Sequence, residues 1–241
     1  MKRLSSCPLP YLLLPALLAL SAQAHADSWW ESVNQYRGDI VYQSLQMMTM
    51  VAIAGVLALV VAIPAGVYLS RPSQKRGASV VMQSLNAGQA VPKLALLALA
   101  MSVMGIGAVP AIFGLWVAAL LPIALNTYEG LRAVPPALIE AATGMGMTPA
   151  QILWRIELPN ALYVIFAGIR TALAITVGTA PLAFLIGGGG LGELIFTGID
   201  VNDFGMLIAG AVPTALLAIL TDGFIGQMQR LLVSRGVNPQ T

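Results

Sequence analysis

Glu140-Ala-Ala-Thr-Gly-Met-Gly-Met-Thr-Pro-Ala-Gln-Ile-Leu-Trp-Arg-Ile-Glu-Leu-Pro159 is a polar island between long apolar segments, and the rest of the chain is arranged around it. Pro135-Pro136 can open a first short helix, because a proline in the first turn gives up no intrahelical hydrogen bond. Gly144 and Gly146 let the backbone turn where a Cβ would clash. Thr148 has the character of an N-cap, Pro149 stands at the first helical position, and Gln151 completes a capping box. Pro159 is expected to end the second helix. Two short capped helices in a polar setting, on an otherwise apolar chain, have the character of a docking surface.

Of the 241 residues, 58% are hydrophobic and 9% charged. A soluble domain carries about 25% charged residues, so this chain cannot cover a water-facing surface and is an all-α integral membrane protein. The net charge of +2 points to no acidic partner, and no nucleic acid is expected. The single cysteine, Cys7, rules out a disulfide framework or a cysteine metal cluster. The single histidine, His25, lies near the N-terminus, which argues against histidine chemistry in the membrane. No metal site is expected.

Outward from the island, residues 1–26 read as a signal peptide or an uncleaved N-terminal helix. Lys2 and Arg3 precede a short apolar core, and Ala24-His25-Ala26 fits a cleavage site. Residues 27–44 form an extracytoplasmic or interfacial segment, with Trp29 and Trp30 suited to the interface. Residues 45–232 form the transmembrane domain, with a cytoplasmic loop at 130–160, and 233–241 are a cytoplasmic tail. Five spans are expected: Leu45–Leu69, Ala78–Met104, Ala111–Tyr128, Ala161–Ile186 and Met206–Gln227. One set of loops holds Arg71, Lys75, Arg76, Arg132, Arg155, Arg230 and Arg235, while the other holds only Arg37. The excess of lysine and arginine puts the first set, and the island with it, in the cytoplasm.

Glu140-Ala141-Ala142, Gly146 and then Ile156-x-Leu158-Pro159 resemble the EAA motif of permease subunits of bacterial binding-protein-dependent ABC importers of the type I fold. The resemblance covers about residues 40–232 and implies a five-span permease core like that of the methionine importers, in the inner membrane. Gly178-Thr179-Ala180, the run Gly187, Gly188, Gly189, Gly190, Leu191, Gly192, and Phe196-x-Gly198-Ile199 look most like the branch that imports glycine betaine, choline or carnitine. The family pattern implies that Glu140, Ala141, Ala142, Gly146, Ile156, Leu158 and Pro159 couple the permease to a separate ATPase subunit, which holds ATP-Mg. This chain would bind no cofactor and catalyse nothing, since it carries no Walker sequence. A second permease copy or similar subunit, an extracytoplasmic substrate-binding protein and lipid are the other implied partners. A permease of the same type for methionine or another small solute is an alternative. An integral membrane enzyme or an ATP-independent channel is a more distant one.

The glycine-rich loop is expected to be an outer packing turn, gate or binding-protein seat, because it lacks the lysine and threonine of a phosphate cradle. Gln83, Asn86, Gln89 and Lys93, spaced three, three and four apart in the second span, are expected on one helical face. The amides on that face either line the translocation path or hydrogen-bond between helices. Lys93 either pairs with an acid, faces elsewhere, or signals a different substrate. Asn126, Thr176 and Thr179 are further path candidates. Arg170 and Asp222 are expected to act as a structural ion pair or as interface residues.

Overall fold

Hydrocarbon offers no partner to a backbone N–H or C=O, so each apolar segment must close its hydrogen-bond ladder within itself. A computed structural model of the protein describes residue 31 and residues 34–233, and its regular elements there are all helical. Residues 1–26 lie outside the described residues, as does most of the 233–241 tail. Helix α1 (Arg37–Ser70) runs inward from the outer face and ends in a short turn at Pro72–Gln74. Helices α2 (Lys75–Gln89) and α3 (Lys93–Met104) return outward, and α4 (Ala108–Arg132) runs back in. The island supplies α5 (Pro136–Gly144) and α6 (Pro149–Ile152). A π-turn at Leu153–Glu157, α7 (Leu158–Thr179) and a 3-10 segment at Ala180–Ile186 follow. The short α8 (Gly192–Asp200) follows, and α9 (Phe204–Leu232) runs back along the bundle.

Helices α1, α4 and α9 and the 38-residue rod Pro149–Ile186 are each long and apolar enough to cross a bilayer. The pair α2–α3 meets the same test only when its halves are taken together, and here the expected straight helix over Ala78–Met104 is corrected: the two halves meet at 101°. Pro92 disfavours a helical Val91 and restarts the helix at Lys93. The break strands carbonyls at the end of α2. Lys93 Nζ donates to the Gln89 carbonyl at 3.3 Å, a cation set against the negative end of a helix. Lys93 is therefore not part of the Gln83–Asn86–Gln89 face.

The bundle is built around α4, which packs against α1, α7 and α3. Met47, Val51, Leu97, Leu115, Val177 and Leu191 fill the outer half of the core. Ala62, Ala119, Ile123, Ala161, Ile165 and Ala172 fill the inner half. Small residues permit these close contacts. A Cβ on Gly66 would lie 2.7 Å from Thr127, and one on Gly168 would lie 2.5 Å from Asn126. Helix α9 is the outlier, with only 17% of its apolar window buried against 56% for α4, so most of it faces lipid or another subunit. Its start is fixed by Asp203, whose carboxylate accepts from Met206 N at 3.0 Å and from the Tyr36 hydroxyl at 3.2 Å. Partial burial, and next the Asp203 carboxylate, hold the Tyr36 hydroxyl above the usual phenol range.

The glycine-rich loop is a packed corner at the outer end of this bundle. Gly187, Gly189 and Gly190 have φ of 80°, 76° and 89°, the left-handed region that disfavours other residues. Gln46 of α1 holds the corner from two sides: its Nε2 donates to Gly188 O at 3.3 Å and its Oε1 accepts from Gly190 N at 3.1 Å. Gly107 N reaches the Ile186 carbonyl at 2.9 Å. Gly192 has no room for a side chain, since a Cβ there would run into the Pro181 carbonyl. Gly192→Ala is accordingly expected to destabilise the purified protein by about 1–3 kcal/mol through forced backbone movement. Gly38→Ala, where a Cβ meets nothing within 4 Å, is expected to leave the thermal midpoint in detergent unchanged.

Candidate functional site

The island folds as local chemistry dictates. Helix α5 starts on Pro136 and closes with Met145 N on Ala141 O at 3.0 Å and Gly146 N on Thr143 O at 2.9 Å. Met147 N then bonds the Ala142 carbonyl at 3.1 Å. This closure needs a left-handed residue, and Gly146 supplies it at φ 78°. Thr148 caps α6 in a full capping box: its Oγ1 accepts from Gln151 N at 3.3 Å, and its own N donates to Gln151 Oε1 at 2.8 Å. Ala142 and Ile152 turn inward and are buried. Glu140, Ala141 and Leu138 face outward on α5, joined by Met145 and Trp154, which are 73% and 71% exposed. One acid and a broad apolar patch thus stand together on a capped helix pair at one end of the bundle.

Pro159 does not end the second helix, which corrects the sequence expectation. The helix widens through the π-turn, where Leu158 N bonds back to Leu153 O, and runs on as α7. Widening admits a proline because Pro159 has no N–H to place and its ring needs space on the preceding turn. The Ile156 carbonyl finds its partner in Asn160 Nδ2 at 2.7 Å. Leu153 and Leu158 pack against the inner core, while Ile156 is half-buried. Ile156, Leu158 and Pro159 and the fourth span are therefore one continuous helical body.

A second tie secures the island from the side. Arg71 Nη2 donates to Glu157 Oε2 at 2.7 Å, joining the end of α1 to the π-turn. The glutamate side chain is only 10% exposed and the arginine 31%. A cavity of about 390 Å³ lies beside this pair, walled also by Tyr128, Pro136 and Ile139. The tie links residues 86 apart, and no local pattern announces it.

The six path candidates fall into two groups. Gln83 and Asn86 are exposed on α2 and Gln89 is half-buried at its end. Asn126, Thr176 and Thr179 lie within the packed bundle instead, each bonded to its own helix. Asn126 Nδ2 donates to Pro122 O at 2.8 Å, while Thr176 and Thr179 donate to Ala172 O and Ile175 O at 2.6 Å. Arg170 and Asp222 meet as a bidentate pair, with bonds of 2.9 and 2.7 Å.

The described residues thus form a helical membrane bundle with a capped helix pair at one end. Residues 62–234 match the family described as binding-protein-dependent transport system inner membrane component, and the chain belongs to that family. It is 51% identical over 202 residues to the osmoprotectant import permease protein OsmY of Salmonella typhimurium, covering 84% of this chain and 86% of that protein. It is 42% identical over 200 residues to the choline transport system permease protein OpuBB of Bacillus subtilis, covering 83% and 91%. Over 200 residues it is 43% identical to the carnitine transport permease protein OpuCD of Listeria monocytogenes, covering 82% and 89%. Among solved structures, one of the MetNI methionine ABC transporter in an inward-facing conformation superposes with a TM-score of 0.68 at 26% identity, covering 81% of this chain and 96% of that one.

The tie between Arg71 and Glu157 makes a direct prediction. Arg71→Met strands a largely buried carboxylate and is expected to cost about 1.5–3 kcal/mol. The double change Arg71→Met with Glu157→Leu is expected to recover most of that, since removing both charges leaves none unpaired. Thermal unfolding of the four members of the cycle in detergent checks both statements.

Proposed function

We propose that this chain is the permease subunit of an ATP-driven importer of osmoprotectants of the quaternary ammonium class: glycine betaine, choline or carnitine. The observation that carries this reading is the 51% identity to an osmoprotectant import permease over 84% of the chain. Relatives named for choline and carnitine stand at 42% and 43%. The methionine alternative rests on a solved structure at 26% identity and is the weaker reading.

The driving subunit is a separate ATPase that holds ATP-Mg and docks on Glu140, Ala141 and the exposed Leu138, Met145 and Trp154, while the buried Ala142 seats α5 beneath them. The support is physical. A capped, glycine-bent helix pair moves as a rigid body, where a loose loop would absorb the motion. The continuity of Ile156, Leu158 and Pro159 with α7 carries that motion into the membrane. Having no Walker sequence, the chain takes its work from the partner. A second copy or a similar subunit completes the path, with the exposed amides Gln83 and Asn86 and the half-buried Gln89 turned toward it. A binding protein delivers solute to the outer face near the Gly187–Gly192 corner. Asn126, Thr176 and Thr179 shape the helices behind the path.

Gly146→Val is expected to abolish uptake and to remove the ATPase from the purified complex, because a β-branched residue at a left-handed φ costs about 1–2 kcal/mol or more. Glu140→Ala is expected to weaken both. Full uptake and full ATPase recovery in both variants would refute the coupling assignment. Competition of labelled uptake by unlabelled betaine, choline and methionine tests the solute. Inhibition by methionine alone would overturn the osmoprotectant class.

A further inference from the structure

The Arg170–Asp222 pair plays no part in the coupling surface, and it sits where charge is costly. Arg170 lies about three turns in from the start of α7 at Leu158, and Asp222 nearly three turns in from the end of α9 at Leu232. At 1.5 Å per residue they lie about 15–18 Å along their helices from Leu158 and Leu232. Charges within apolar helices face water or protein, not acyl chains. The side chains are nevertheless 41% and 43% exposed on the isolated chain. They open into a cavity of about 460 Å³, walled also by Tyr163, Gln227 and Arg230. That volume lies within the usual range of small-molecule sites, about 300–1,000 Å³.

We propose that Arg170 and Asp222 form a transient cargo site for a small zwitterion with a quaternary ammonium at one end and a carboxylate at the other. The proposal rests on the osmoprotectant reading above. The Arg170 fork, which now holds both Asp222 oxygens, accepts the solute carboxylate in the same bidentate geometry. Asp222, released from the fork, faces the ammonium, and the Tyr163 ring offers the aromatic face that such groups prefer. The exchange replaces one ion pair by two and leaves no charge unpartnered at depth, so occupation and release both avoid the cost of a stranded ion. The resulting site is weak, as a conduit requires. Choline, a cation without a carboxylate, can engage Asp222 only by stripping Arg170 of its partner, so the site favours zwitterions.

The test is initial uptake of labelled glycine betaine and of choline at saturating solute. It uses cells carrying the full chain with its ATPase and binding-protein partners, normalised to permease in the membrane. Arg170→Gln is expected to lower betaine uptake about tenfold or more, the usual scale for removing one partner of a desolvated ion pair. Choline uptake is expected to change less than about threefold, because Asp222 is then free for the cation. Asp222→Asn is expected to lower both. If Arg170→Gln fails to reach the membrane, Arg170→Lys, which keeps the charge and loses the fork, is read by the same ratio and is expected to lower it. A merely structural pair predicts an unchanged betaine-to-choline ratio in both Arg170 variants, and recovery of both solutes in the exchange Arg170→Asp with Asp222→Arg. Either result overturns the site while leaving the osmoprotectant reading intact. Uptake of neither solute by the wild type overturns that reading and this site with it.

Discussion

A helix in hydrocarbon has no water to satisfy a broken rung, and this structure depends on how three breaks in its ladders are closed. At the α2–α3 bend the carbonyl of Gln89 is met by Lys93 Nζ. At the π-turn the carbonyl of Ile156 is met by Asn160 Nδ2. At the outer glycine corner, Gly188 O and Gly190 N are both met by Gln46. In each case a single polar side chain makes an irregular backbone tolerable at or near membrane depth. What those breaks permit is the shape of the protein: a bent second crossing, a coupling segment fused to its span, and a tight outer turn under α8.

The two long-range ion pairs show the same chemistry put to different ends. Arg71 and Glu157 are unequally exposed, 31% and 10%, and the glutamate has nowhere else to turn. That pair is a fastening. Arg170 and Asp222 are nearly equal in exposure, and each keeps a side open to a cavity. That open side is what would let Arg170 exchange its partner for a carboxylate brought in from the cavity.

The legibility of the chain follows the range of the interactions involved. The island was readable because Pro136, Gly146, Thr148 and Gln151 act on neighbours within four residues, and the structure repeats that local chemistry bond for bond. Hydropathy gave the crossings because burial in lipid is a property of the whole segment. The α2–α3 bend escaped because the polar residues Gln83, Asn86, Gln89 and Lys93 keep a helical spacing through it, although Val91-Pro92 and an awkward Lys93 were the available signs. Pro159 was misleading for the opposite reason. A proline normally stops a helix, and only the π-turn before it, invisible to a 3.6-residue period, lets the helix pass. The partners of Arg71 and Arg170 lie 86 and 52 residues away, beyond anything a linear pattern specifies.

The fusion of α6, the π-turn, α7 and the 3-10 segment has a mechanical consequence. Its 38 residues form a strut of about 57 Å at 1.5 Å per residue, close to twice the hydrocarbon thickness. One end is the capped cytoplasmic tip at Pro149, and the other abuts the glycine corner at Gly187. Moving as one body, it would turn a tilt of only a few degrees at one end into a displacement of several ångströms at the other. The stiffness of the strut, more than any chain of contacts through the core, would set the mechanical advantage between the two faces of the membrane.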